Sequence, residues 1–159
     1  MSWLWGRIWQ RVESQRHDDA ERLGYFSDGF QMVVKALHRG AAEAGVSIHT
    51  QCIDLDSEPL PVGPWDVILS VCFLWRPLFA EIPKVLAPDG WLVVIQPTLR
   101  NLERHDKPPA QFLLQENELP SLIQGLEVVR YEEGWLADGR HDAFLVARRL
   151  IGNVKTPIR

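Results

Sequence analysis

Residues 65–98 read WDVILSVCFLWRPLFAEIPKVLAPDGWLVVIQPT, and this stretch decides the fold. Trp65 to Leu74 is an apolar run broken only by Asp66 and Ser70, as expected of a strand covered on both faces. Phe79, Ile82, Val85 and Leu86 then recur at helical spacing. Pro83 falls inside that stripe and either starts the helix there or kinks it. Ala87-Pro88-Asp89-Gly90 is a turn signal, with Gly90 read as a glycine needing an unusual backbone angle. Trp91 to Ile95 is a second covered strand. Strand, helix and strand in this order predict a parallel α/β unit.

Downstream, residues 96–112 form a long polar connection, a length of loop that is functional or disordered. Glu116 to Ile123 suits a short helix. Residues 126–136 and 141–150 read as two strands joined at Asp138-Gly139, a strong hairpin signal. Residues 151–159 are a tail. Upstream, Ser27 or Asp28 can cap a helix carrying Phe30, Val33, Val34 and Leu37, with Gly40 inside it and Gly45 closing it. Val46, Ile48, Cys52 and Leu55 alternate imperfectly with polar residues and read as a strand. Residues 13–24 are a polar linker or helix extension. Trp5, Ile8, Trp9 and Val12 stand at helical spacing opposite Arg7 and Arg11. That predicts an N-terminal helix, packed on its own domain or serving partner binding, self-association or a membrane surface.

The chain has 159 residues, 46% hydrophobic and 24% charged, which suits one globular domain with a real core. Its net charge of -4 argues against a general nucleic-acid binder. No apolar run approaches the ~20 residues of a transmembrane helix. Cys52 and Cys72 in apolar contexts read as buried thiols of a cytoplasmic protein, in adjacent strands. His17, Asp18 and Asp19 are adjacent in sequence and do not share a helix face, so no metal site is expected.

The ordered series Asp54-Leu55-Asp56, Trp65-Asp66-Val67-Ile68, Leu74 with Arg76-Pro77-Leu78, Leu86 with Pro88-Asp89-Gly90, Asn101, Phe112-Leu113-Leu114 with Glu118-Leu119, and Leu145-Val146-Ala147-Arg148 resembles the class I S-adenosylmethionine-dependent methyltransferases, especially the small tellurite-resistance type. The resemblance covers about residues 27–150. It implies an α/β fold: a Rossmann-like, mostly parallel sheet with a C-terminal antiparallel β-hairpin, N-terminally incomplete. Residues 1–24 would be a divergent segment, 25–150 the methyltransferase-like domain and 151–159 the tail.

The resemblance implies S-adenosylmethionine as cofactor, with Asp54 accepting from the adenine amino group and Leu55 packing near the ring. Asp54 read as a cap of the following loop is the structural alternative. Ser70 and Val71 would lie against the cofactor, and Trp75, Arg76 and Asn101 toward the methyl acceptor, a small molecule or another unknown partner. Arg76 suits capping or positioning of the next helix better than a substrate contact. Asn101, Arg104 and His105 are read as exposed polar groups of the long loop. No catalytic residue is assigned.

Two departures stand against this pattern. Relatives carry a Gly-rich loop after a first strand, whereas the residues before Ser27 contain only Gly6 and Gly24. Relatives also carry an acid for the ribose hydroxyls where this chain has Tyr25, which cannot accept in a bidentate manner. Methyl transfer impaired by this loss is one expectation. A non-catalytic methyltransferase-like scaffold acting through partner binding is the other. The missing first strand would sit beside residues 65–72 in the middle of the sheet, and the Trp-rich segment 1–12 is a candidate to fill its place.

Overall fold

The computed structural model describes residues 3–6, 35, 38–45, 55 and 58–150. Its decisive element is the strand β2, Trp65–Val71, whose β-branched Val67, Ile68 and Val71 suit a pleated, covered surface. Two strands flank it. On one side lies β1, Trp3–Gly6, in parallel register from Trp3 opposite Val67 to Gly6 opposite Ser70. On the other lies β3, Leu86–Pro97, also parallel. The helix expected over the Trp-rich segment is thereby corrected at Trp3–Gly6, which is strand. Helical spacing there loses to the unpaired N–H and C=O groups along β2, which a short aromatic segment satisfies by pairing.

Between β2 and β3 runs the helix α1, Leu78–Val85, which buries Leu78, Phe79 and Ile82. Pro83 sits within it and does not start it. The first turn is built by Leu78 N–H donating to the Trp75 carbonyl and Phe79 N–H to the Arg76 carbonyl. Leu86 leads straight into β3. The turn signal that follows is realised as a bulge: Trp65 faces Leu86 while Val67 faces Trp91. Asp89, at φ 61°, takes the left-handed backbone, and Gly90 is not among the described glycines that do. The expected role of Gly90 is therefore corrected. A Cβ at Gly90 would stand 2.8 Å from the Ala87 carbonyl oxygen and 3.0 Å from that of Trp65, so the site needs space and not an unusual angle.

The chain then passes through 3-10 turns at Leu99–Glu103 and Ala110–Phe112 and a short helix α2, Glu118–Leu122. The hairpin strands β4, Glu127–Trp135, and β5, His141–Arg148, close the chain, with Gly139 at φ 85° in the turn between them. The sheet has five strands in the order β1-β2-β3-β5-β4. β5 pairs antiparallel with both β3 and β4. Among the described strands the sheet is thus mixed, with two parallel pairings and two antiparallel ones, both of the latter made by the expected C-terminal hairpin. A hairpin inserted between β3 and the edge supplies both antiparallel pairings at once.

Alternate residues of the central strands build the core: Ile68, Leu92, Val94, Ala143, Leu145 and Ala147 are buried, joined by Ile82, Leu113, Leu114 and Leu119. Burying each large aliphatic side chain contributes about 2 kcal/mol.

The chain forms two compact units, Met1–Gln10 with Pro59–Arg159, and Arg11–Glu58. In the second, residues 38–43 are helical, Ala44 N–H donates to Gly40 at 3.0 Å, and Gly45 at φ 67° ends the helix as its composition predicts. The strand expected over 46–55 lies outside the described residues except Leu55, a buried turn residue. Cys52, residues 13–24 and the tail 151–159 lie outside them too. Cys72 is half-buried in the bend after β2, not within the strand. Among the described residues no helix is long and apolar enough to cross a membrane, and no group of His, Cys, Asp or Glu could hold a metal.

Candidate functional site

β1, β2 and β3 run in one direction, so their carboxyl ends meet along one edge of the sheet. There Gly6, Ser70 and Val94 align in register, followed by Val71 beside Ile95. Ligands of open α/β sheets sit beyond such strand ends. Ser70 is buried, its hydroxyl 3.5 Å from the Phe73 carbonyl, a long contact. Cys72 turns the chain with φ 52°, yet its N–H still donates to the Ile95 carbonyl at 2.8 Å. The strand therefore ends in a sharp, backbone-held corner.

The loop after that corner is fastened from below. Arg76 grips Glu118 with both arms, Nε at 2.5 Å and Nη2 at 2.8 Å, and Nη2 also donates to the Leu113 carbonyl at 3.3 Å. Glu118 accepts in addition from Gln115 N–H at 2.8 Å. The Arg76 hydrogen bond holds the Glu118 carboxyl below its ordinary range, against the upward push of burial. The Arg76 guanidinium is thus engaged by Glu118 and the Leu113 carbonyl while 38% of the side chain stays exposed. Trp75 beside it is half-buried and supplies the carbonyl that opens α1.

The connection after β3 is ordered throughout. Thr98 N–H donates to the His141 carbonyl at 3.0 Å, and Leu99 N–H to that of Leu114 at 2.8 Å. Asn101 accepts from His141 N–H at 3.1 Å and donates to the carbonyls of His141 and Thr98. At 4% exposure it is a buried clasp and not the exposed polar group expected. An amide that matches a backbone N–H and C=O at once is worth more inside, where any unpaired group is costly. Thr98 Oγ1 and His141 Nδ1 lie 2.7 Å apart in the same buried cluster. Arg104 and His105 are exposed, with Arg104 stacked 3.7 Å from the centroid of the Trp135 ring.

One polar residue here escaped sequence reasoning. Successive strand residues point to opposite faces, so Asp142 lies on the face of its partner Pro97, away from His141. Its side chain is 4% exposed, and among the described residues neither carboxylate oxygen has a hydrogen bond. Arg140 Nη1 stands 3.5 Å away, an ion pair without hydrogen-bond geometry. Burial pushes the Asp142 carboxyl above its ordinary value, opposed by Arg140. The signal available was an acidic residue immediately before the apolar run Ala143 to Ala147.

Of the residues expected at the cofactor, Ser70 and Val71 stand at the strand-end corner and Leu55 is a buried turn residue of the other unit. Asp54 and Tyr25 lie outside the described residues.

No protein-family model matches the sequence, and no curated protein does. Solved structures match its fold. TehB from Haemophilus influenzae superposes with a TM-score of 0.56 at 20% identity, over 73% of this chain and 46% of that one. A 1,6-didemethyltoxoflavin-N1-methyltransferase from Burkholderia thailandensis, solved with S-adenosylhomocysteine, gives 0.50 at 17%, over 72% of this chain and 56% of that one. This is the class I methyltransferase fold. The [4+2]-cyclase SpnF matches it as well, with a TM-score of 0.52 at 17% identity, over 72% of this chain and 61% of the other. One fold thus carries more than one chemistry. The chain spans about half to three fifths of the length of these structures.

Proposed function

We propose that this chain binds S-adenosylmethionine at the carboxyl ends of β1 and β2 and transfers its methyl group to a small acceptor. The observation that carries this is the parallel pairing of Trp3–Gly6 with β2, which brings Gly6 opposite Ser70. A glycine at that end has no Cβ to stand between the backbone and a ligand. The strand-end corner of Ser70, Val71 and Cys72 fits as the second wall. The fold likeness supports the same reading, as does the S-adenosylhomocysteine held by the Burkholderia structure. Ser70 and Val71 would hold the cofactor. The cofactor supplies a methyl group on a sulfonium leaving group. The chain's contribution is to hold acceptor and methyl in line, so catalysis rests on positioning. Trp75 and the loop fixed by Arg76 would border the acceptor. The pairing of β1 fills the place beside β2; the non-catalytic scaffold keeps the support of the missing Gly-rich loop and of Tyr25. The proposed setting is the cytoplasm, from the two cysteines in apolar contexts.

Without a Gly-rich loop or a ribose-binding acid at Tyr25, the site binds with impaired affinity. Calorimetric titration of the full chain with S-adenosylhomocysteine should give one-to-one binding with a Kd of about 10–100 μM, near -6 kcal/mol. A folded chain that gives no binding at about 1 mM refutes the cofactor assignment. Sub-micromolar binding refutes the impairment.

A further inference from the structure

Beyond the carboxyl end of β3, the connection 97–108 and the hairpin turn at 139–140 enclose an open groove of about 690 Å³. That is the size of small-molecule sites. Its walls are mainly apolar, with Pro97 and Pro108 among them, while Arg104, Lys107 and Arg140 bring positive charge and Asp106 a single negative one. The cations differ in how far they are compensated. Arg140 is hydrogen-bonded to Asp138 at 2.9 Å and lies 3.5 Å from Asp142. Arg104 rests on the Trp135 ring, and among the described residues neither it nor Lys107 has an ion pair. The groove therefore offers two cations without an ion pair among the described residues, one of them stacked on Trp135.

The groove is also held in shape. Asn101 clasps the backbone of His141 from one side. His105 joins the hairpin turn, its Nε2 lying 3.1 Å from the Gly139 carbonyl oxygen. Its N–H donates to the Asn101 carbonyl at 2.8 Å. A preformed cleft loses less entropy on binding than a loop that must order.

We propose that this groove binds an organic monoanion, a compact apolar body bearing one carboxylate, with the carboxylate on Arg104 and Lys107 and the body against the proline walls. Asp106 and the compensation of Arg140 limit the positive charge, which favours a carboxylate over a dianionic phosphate. Under the methyl-transfer reading, on which this part rests, such a molecule is the acceptor class. The binding claim itself stands without it.

The test is a two-dimensional NMR titration of the labelled full chain, without cofactor, using benzoate, benzamide, acetate and inorganic phosphate. Benzoate should produce saturable shifts confined to residues 97–108 and 139–142. Benzamide, which lacks the charge, and acetate, which lacks the body, should each bind at least tenfold more weakly. Lys107→Glu, at an exposed site, should weaken benzoate at least tenfold, and Arg104→Gln should do so independently. Equal shifts from benzoate and benzamide overturn the proposal, as do shifts elsewhere in the chain or indifference to both substitutions. Phosphate binding as well as benzoate makes this an inorganic anion site and overturns the organic class. Failure here leaves S-adenosylhomocysteine binding untouched, and failure of that binding leaves the groove.

Discussion

Arg76→Ala tests whether the loop bordering the strand-end corner is held by the fork to Glu118. The substitution removes two hydrogen bonds to that carboxylate and one to the Leu113 carbonyl. It leaves Glu118, 16% exposed, with the Gln115 N–H. A fully buried pair broken in this way costs about 3–5 kcal/mol, and an exposed one about 0–1. Arg76 is 38% exposed, so screening brings the expected loss to about 2 kcal/mol. For a chain of this size that is about 4–8 °C in Tm. Arg76→Lys keeps the charge but loses the planar fork, and should cost about 1 kcal/mol. The pH dependence has a definite sign. The folded-state carboxyl of Glu118 is depressed by Arg76, so its contribution is present above the unfolded value, about 4.3, and is lost as pH falls through the folded one. Urea unfolding of wild type and Arg76→Ala at pH 7 and pH 3 measures both effects. A difference below about 0.5 kcal/mol at pH 7, or a penalty undiminished at pH 3, refutes the clamp.

Two further perturbations follow from the buried groups. Asp142→Asn should stabilise the chain by about 1 kcal/mol at pH 7, because it removes a carboxylate buried without hydrogen bonds while Arg140 keeps Asp138. Since burial raises the Asp142 value, the native carboxyl contributes fully below the unfolded value and loses that stability as pH rises through the folded one. The gain should therefore vanish near pH 3 in thermal unfolding, and a destabilised variant at pH 7 would contradict the account. Gly90→Ala forces a Cβ to 2.8 Å from the Ala87 oxygen and should cost about 2 kcal/mol, read as a lowered urea midpoint; an unchanged midpoint would show that the bulge yields freely.

What the sequence determined by itself is local. The apolar run of β2, the stripe of α1, the second run of β3 and the Asp138-Gly139 turn each carry a period or a turn chemistry, and each appears where its residues place it. The order of these elements sufficed to indicate the fold. Tertiary structure decided what depends on partners distant in sequence. Trp3–Gly6 reads as helix by spacing and becomes strand because β2 offers an open edge. Arg76 and Asn101 look like free polar groups until Glu118 and the His141 backbone, 42 and 40 residues away, take up their hydrogen bonds. Asp142 becomes a buried, unsatisfied carboxylate only when β5 is laid beside β3. Periodicity is a property of neighbours along the chain, whereas burial and hydrogen-bond satisfaction belong to neighbours in space.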